Sequence, residues 1–330
     1  MIFLSPSSEV TRMYSILVGI DIAKKTFDVS RLENGKYQPN SFANTPEGFL
    51  AFLDWLTAYG LASTLCVLEA TGLYGLPLMT FLYDQGVPVS QVNPAAIKAF
   101  AQSELSRTKS DKADARLIAR FGRERQPRQW VPPAQAVHEL QTRLRRIEQL
   151  IEMLQMEKNR LEGTQGTVRT SITQSIETLE KQIDTLRQEV NKLINDHPDL
   201  KKDRELLESI PGIGEVASAN LLLLFAAHPD FDDPKQAVAF VGLSPNPHQS
   251  GASGKTRLSR IGDARLRKAL YMPALVAQQH NPVLKAFSER LKANGKKGKV
   301  ILCAIMRKLI HIAFGVLKSG RPFDPNFALA

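Results

Sequence analysis

The chain has 330 residues, a length that suits about two domains, and 43% of them are apolar, enough for real cores. A net charge of +10 and a pI near 9.6 point to a polyanionic partner and away from acidic, solvating chains. The two cysteines, Cys66 and Cys303, lie in apolar runs and read as small core residues of a reducing compartment; the six histidines are scattered, so disulfide frameworks and zinc fingers fall away.

Residues 1–12 lack the basic start and apolar centre of a signal peptide and read as a disordered extension, with Met13 as an alternative start. Ser15 to Ile22 is an apolar run expected to form a buried strand that delivers Asp21 at its end. Phe27 to Leu32 alternates and meets Asn34-Gly35, a hairpin signal because both residues tolerate positive φ. Tyr37 to Phe42 is the third expected strand. Thr45-Pro46-Glu47 then supplies an N-cap hydroxyl, a proline for the first turn and an acid. Phe49, Phe52, Leu53 and Leu56 follow on one helical face, and Gly60 ends the helix. Strand Thr64 to Glu69, a helix to about Gln85, strand Val87 to Val92, a helix from Ala95 and another from Asp111 to about Arg125 complete the region. Three strands joined by hairpins, then alternating helix and strand, match an RNase H-like mixed sheet over residues 13–130.

Pro127, Pro132 and Pro133 mark a linker. Beyond it Leu140, Leu144, Ile147, Ile151, Leu154 and Leu161 recur at alternating spacings of four and three, with Lys158 in one seam position. Ile172, Ile176, Leu179, Ile183, Leu186, Val190 and Leu193 repeat the pattern after a break at Gly163 and Gly166. These heptad seams predict coiled-coil helices over 131–197, as a hairpin or a dimer seam. Residues 198–330 read as all-helical with one long loop between Val238 and Ile261. The fold class expected is therefore α/β plus all-α. Ile210-Pro-Gly-Ile-Gly214 sits between two helical patterns as the hairpin of a helix-hairpin-helix unit, whose glycines would let backbone N–H groups approach a phosphate. Leu221 to Ala227 is far short of the roughly 20 apolar residues that span a membrane, so a cytoplasmic protein without a membrane partner is expected.

Four acids stand where chemistry is expected: Asp21 and Glu69 at strand ends, and Asp111 and Asp114, which share a helix face at i, i+3. Nucleic-acid phosphoryl transfer commonly uses divalent cations bridged by carboxylates from different elements. Mg2+, with Mn2+ as the alternative, prefers such oxygen ligands. Arg107, Lys109, Lys112 and Arg116 flank the helical pair and would hold substrate phosphates. Lys255, Arg257, Arg260, Arg265 and Arg267 form a second basic run, and Lys296, Lys297 and Lys299 a third. Serines 244, 250 and 253 lie in the long polar loop, and spacing does not choose among them.

Gly19-Ile-Asp-Ile-Ala-Lys24, Glu69-Ala-Thr-Gly72, Val92-Asn-Pro94 and Lys109-Ser-Asp-Lys-Ala-Asp-Ala-Arg116 resemble the N-terminal domain of the IS-one-ten insertion-sequence transposases. Ser209 to Gly214, Ala239 to Pro245, Gln249-Ser-Gly251, Leu266 to Pro273 and Asn294 to Lys299 are similar to the same family's C-terminal domain. The resemblance covers nearly everything from Met13 onward. It implies a RuvC-like first domain with a D-E-D-D metal site on Asp21, Glu69, Asp111 and Asp114. It also implies a serine nucleophile at Ser250, a structured bridge RNA that pairs with donor and target DNA, and dimers that assemble into tetramers. In that family the acids of one subunit face the serine of another, and the protein is nucleoid-associated when bound to DNA. A structure-selective endonuclease using water, and a non-catalytic nucleic-acid scaffold, are the alternative functions.

Overall fold

A computed structural model of the chain describes residues 14–70, 72, 74–104, 111–250, 253–258 and 261–326, with the backbone alone for 111–112, 246–250 and 253–257. The expected extension over residues 1–12 lies outside the described residues. The chain divides into two compact units, Ser7–Pro132 and Pro133–Ala330.

The first unit is a five-stranded mixed sheet. β1 (Ile16–Ile22), β2 (Thr26–Glu33) and β3 (Lys36–Ala43) form an antiparallel meander. Its second turn uses Asn34 at φ 47° and Gly35 at φ 77°, the conformations a two-residue hairpin needs. α1 (Pro46–Thr57) starts where Thr45 accepts a hydrogen bond from the Gly48 N–H. β4 (Thr64–Glu69) runs parallel to β1, α2 (Leu76–Asp84) follows, and β5 (Val89–Val92) runs parallel to β4. The strand order is β3-β2-β1-β4-β5. α3 (Pro94–Ser103), capped by Asn93, and α4 (Asp111–Arg125) close the unit.

The sheet is buried on both faces, as the near-continuous apolar runs of β1 and β4 require. Ile16, Val18, Ile20, Cys66 and Leu68 face α1 and α2, among Phe27, Phe49, Phe52 and Leu82. Leu17, Leu65 and Val67 face the other way, with Ile97, Phe100, Ile118, Ala119 and Phe121 of α3 and α4. The proline segment after α4 is used too: Ser90 Oγ donates to the Pro127 and Arg128 carbonyls, and the Trp130 N–H donates to Val89.

In the second unit α5 (Gln135–Leu161) and α6 (Gly166–Asp196) pack on each other as a helical hairpin, turned by Gly163 and Gly166 at positive φ. Leu140, Ile147, Leu150, Ile183, Val190 and Ile194 bury the seam. Lys158, the one polar residue of the seam, pairs with Glu180 of α6 at 2.8 Å. α7 (Pro198–Glu208), α8 (Glu215–Ala227) and α9 (Pro234–Val241) follow. The expected long loop is structured: β6 (Pro245–Ser250) and β7 (Ser253–Leu258) pair antiparallel, with Ser250 opposite Ser253. The C-terminal region is therefore not all-helical. A two-stranded ribbon has only edge strands, where Pro245 and Pro247 cost no interior ladder bond.

α10 (Ala264–His280), α11 (Pro282–Ala293) and α12 (Gly298–Ser319) complete the unit. α12 is long and apolar enough, by length and composition, to cross a membrane. It packs as a core helix: Ile301, Ile305, Leu309, Ile310 and Ala313 are fully buried against α7, α8, α9 and α10.

Candidate active site

Strand period decides where the acids point. Side chains alternate across a strand, so Asp21 shares its face with Leu17 and Gly19, and Glu69 with Leu65 and Val67. That is the α4 face. β1 and β4 run parallel with Ile20 beside Leu68, so the next residues, Asp21 and Glu69, end neighbouring strands at the same edge of the sheet.

α4 reaches that edge because the residues beneath it are small. A Cβ on Gly19 would penetrate the Ala115 carbonyl and the Ala119 amide, and would stand 2.9 Å from Ala119 Cα. Farther along, a Cβ on Gly122 would lie 2.8 Å from Val67 Cγ2. Ala115, Ile118 and Ala119 are fully buried in this contact. The helix therefore runs antiparallel to β1, and its N-terminal turn, with Asp111 and Asp114, lies toward the strand ends that carry Asp21 and Glu69. Asp111 is the first helical residue; its side chain lies outside the described residues.

The electrostatics agree with this placement. The Glu69 carboxyl is pushed above its ordinary range, first by burial and then by the negative charge of Asp114. Two carboxylates that repel across a half-buried site form a donor set a hard divalent cation would relieve. Among the described residues no group of three or more His, Cys, Asp or Glu side chains is gathered closely enough to hold a metal by itself. One acid was not singled out from sequence. Asp28 is the direct cross-strand partner of Asp21 and, by the same alternation, lies on its face. The signal for it was the tight turn at Ala23 to Lys25, which fixes the register of β1 against β2.

The flanking cations divide. Arg107, Lys109 and Arg260 lie outside the described residues, as do the side chains of Lys112, Lys255 and Arg257. Arg116 is exposed, and its guanidinium stands 4.4 Å from the Tyr37 ring centroid, joining α4 to β3. Arg265 is likewise engaged, at 3.0 Å from Asp263 and 3.9 Å from Glu148 of α5. Arg267 donates to the Val241 carbonyl at 2.7 Å. Arg265 and Arg267, expected as phosphate clamps, thus also make contacts within the second unit. Lys296, Lys297 and Lys299 are exposed at the start of α12.

The glycines between α7 and α8 have different duties. Gly212, at φ 104°, faces Ala277 of α10, and a Cβ there would lie 2.6 Å from that residue's Cβ. Its bareness serves helix packing. Gly214, which precedes α8, has open space around it. The phosphate approach expected of both glycines is open only at Gly214.

Ser250 ends β6, and its backbone pairs with that of Ser253; the Ser250 side chain lies outside the described residues. Ser244, the other rival, lies between α9 and β6.

The first unit thus sets acids at the ends of adjacent parallel strands and on the helix laid across them. Residues 18–165 match a family model described as Transposase, of the DEDD type, and residues 204–289 match one described as Transposase IS116/IS110/IS902 family. The pilin gene-inverting proteins of Moraxella lacunata and Moraxella bovis are each 34% identical to this chain over 317 residues, covering 94% of it and 98% of their own length. An insertion element IS110 protein of Streptomyces coelicolor is 26% identical over 163 residues, 49% of this chain and 39% of its own. The chain belongs to the IS110/IS116/IS902 transposase family, and its activity is DNA recombination.

Proposed function

We propose that the first unit is an RNase H/RuvC-like catalytic domain in which Asp21, Glu69, Asp111 and Asp114 form one acidic site for a divalent cation, Mg2+ or Mn2+. The observation that carries this is the Gly19–Ala115 contact, which brings the first turn of α4 to the strand ends. The raised carboxyl of Glu69 beside Asp114 supports it. When bound, such a cation supplies Lewis-acid stabilisation of charge on a DNA phosphate.

In this reading Ser250, at the end of the β6–β7 ribbon, is the attacking group. Its Oγ forms a bond to phosphorus as one P–O ester bond breaks. The departing strand leaves as a hydroxyl end that takes the proton, and a phosphoserine conserves the bond for strand exchange. Ser250 is chosen over Ser244 and Ser253 by the family resemblance of Gln249-Ser-Gly251. A serine hydroxyl needs activation at its ordinary pKa, so the acids and the serine act together.

The partners are donor and target DNA and a structured bridge RNA. In RNA-guided systems base pairing reads sequence while the protein reads backbone, which suits a chain of net charge +10. The α5–α6 hairpin, with Met153, Met156 and Val168 exposed along it, serves as a coiled-coil element in a dimer that assembles into a tetramer. Gly214 and the start of α8 serve as the phosphate-facing part of a helix-hairpin-helix. Lys112, Lys255, Arg257, Arg260, Lys296, Lys297 and Lys299 contact nucleic-acid backbone. Two relatives are named for inverting pilin genes, which suits a recombinase that rejoins the strands it cuts.

The test is a denaturing gel after incubating protein, RNA, Mg2+ and labelled donor and target DNA. A covalent protein–DNA band is expected, lost in Ser250→Ala. Free cleaved ends that persist in Ser250→Ala would sink the serine step in favour of a water-using endonuclease. Unaltered function in Asp21→Ala would leave only a binding scaffold.

A further inference from the structure

The described residues on either side of the β6–β7 ribbon, Gly242 before it and Gly262 after it, meet at one point. α9 ends in a left-handed cap at Gly242, φ 78° and ψ 33°, with the Leu243 N–H returning to the Val238 carbonyl. Gly262, at φ 132°, lies directly against it: a Cβ on Gly262 would stand 2.5 Å from Gly242 N, 2.6 Å from Gly242 Cα and 2.8 Å from the Phe240 carbonyl. A Cβ on Gly242 would reach the Ile261 carbonyl at 2.5 Å. Only glycines can sit back to back here, and both also need positive φ.

Two further bonds close the point. The Asp263 N–H donates to the Phe240 carbonyl at 2.9 Å. The Arg267 guanidinium, on the first turn of α10, donates to Val241 and would be struck by a Cβ on Gly242. Asp263 itself caps α10 through the Arg265 and Leu266 N–H groups, and Arg265 reaches on to Glu148 of α5. The end of α9 and the Ile261–Asp263 segment are thus held to each other and to the first turn of α10.

We infer that the Gly242–Gly262 contact and the Arg267 guanidinium form a closed neck that aims the β6–β7 arm, which makes Gly242, Gly262 and Arg267 positioning residues for strand transfer. The inference rests on the reading of the ribbon as the bearer of the attacking serine.

The ribbon acts as a lever. Five strand steps at about 3.4 Å place Ser250 roughly 17 Å from Pro245, while paired strands stand only about 4.8 Å apart. Relieving a 2.5 Å contact to an ordinary separation near 3.5 Å shifts one root against the other by about 1 Å. Carried along the arm, that becomes about 3 Å at the tip. Misplacement of a reacting group by even about 1 Å costs on the order of 100-fold in rate.

The test uses Gly262→Ala and Arg267→Gln in the full chain. Nitroxides at Gln249→Cys and Val216→Cys, in a Cys303→Ala background, read the distance from arm to α8; Cys66 is fully buried. Strand-exchange rate and DNA affinity are read on the unlabelled proteins. Gly262→Ala is expected to shift the distance by about 3 Å, and Arg267→Gln, which loosens the contact without adding bulk, to shift or broaden it; both should slow exchange at least about 100-fold, with DNA affinity held within about threefold. Arg267→Gln adds no bulk, so it keeps the test alive should Gly262→Ala fail to fold. An unmoved distance in Arg267→Gln, with exchange within twofold of the parent, overturns the neck. A shifted distance in a background where Ser250→Ala remains fully active upholds the neck and sinks the serine reading.

Discussion

Gly19→Ala is expected to cost about 3 kcal/mol or more of the first unit's stability, toward the severe end for overpacking. The added methyl would meet backbone on both sides, the Ala115 carbonyl and the Ala119 amide, and backbone cannot turn aside as a side chain can. α4 would have to lift from β1 along its whole buried face, exposing Ile118 and Ala119 and carrying Asp111 and Asp114 away from the strand ends. Recombination should disappear with it. Gly298→Ala makes the control: that glycine opens α12 with no heavy atom within 4 Å, so alanine there should be neutral or mildly stabilising. Denaturant unfolding of the two variants checks this. A Gly19→Ala chain within about 0.5 kcal/mol of the parent would contradict the close approach on which the acidic site depends.

Glu69→Gln is expected to separate stability from activity. The folded chain holds the Glu69 proton more tightly than the unfolded chain does, because burial and then Asp114 disfavour the carboxylate. Such a group contributes stability below its unfolded pKa and loses it as pH rises through the raised folded pKa. Once pH has passed the unfolded value, the raised Glu69 carboxyl is therefore a liability to stability. Gln, which carries no charge to desolvate, should leave Tm at pH 7 unchanged or higher and should flatten the fall in stability as pH rises through the Glu69 titration. Strand exchange should meanwhile fall on the order of 100- to 1,000-fold, the scale for removing one group that stabilises a charged transition state. Asp114→Asn should lower the Glu69 pKa toward its ordinary value, read by carbon NMR of the labelled carboxyl. A Glu69→Gln variant less stable at neutral pH, or one still fully active, would remove Glu69 from the site. Natural sites carry such strained charges because function requires them.

The first unit was legible because its elements announce themselves locally. Asn34-Gly35 fixes one hairpin, Thr45-Pro46 starts α1, and Asp111 begins α4 as its pattern suggests. The approach of α4 to the sheet was not legible. It depends on Gly19 meeting Ala115 and Ala119, residues about a hundred positions away, and a glycine in a strand pattern says only that something comes near. The β6–β7 ribbon is hard to see in sequence because Pro245, Pro247, Gly254 and polar residues such as Ser250 and Ser253 suppress the apolar alternation that marks a half-buried strand. A ribbon with no buried face has no such alternation to show. Arg265 and Arg267 looked like free cations beside a serine; only the fold reveals that their guanidinium groups also contact Asp263, Glu148 and the Val241 carbonyl. Asp28 was hidden for a related reason, since its place beside Asp21 is a matter of register.

The most direct test of a shared acidic site is calorimetric titration of Mg2+ and Mn2+ into the folded chain and into its Asp21→Asn, Glu69→Gln and Asp114→Asn forms. If the acids act as one site, each substitution should weaken cation binding at least about tenfold, a loss of about 1.4 kcal/mol, while the fold is retained. Cation binding equal to the parent's in all three variants would contradict it.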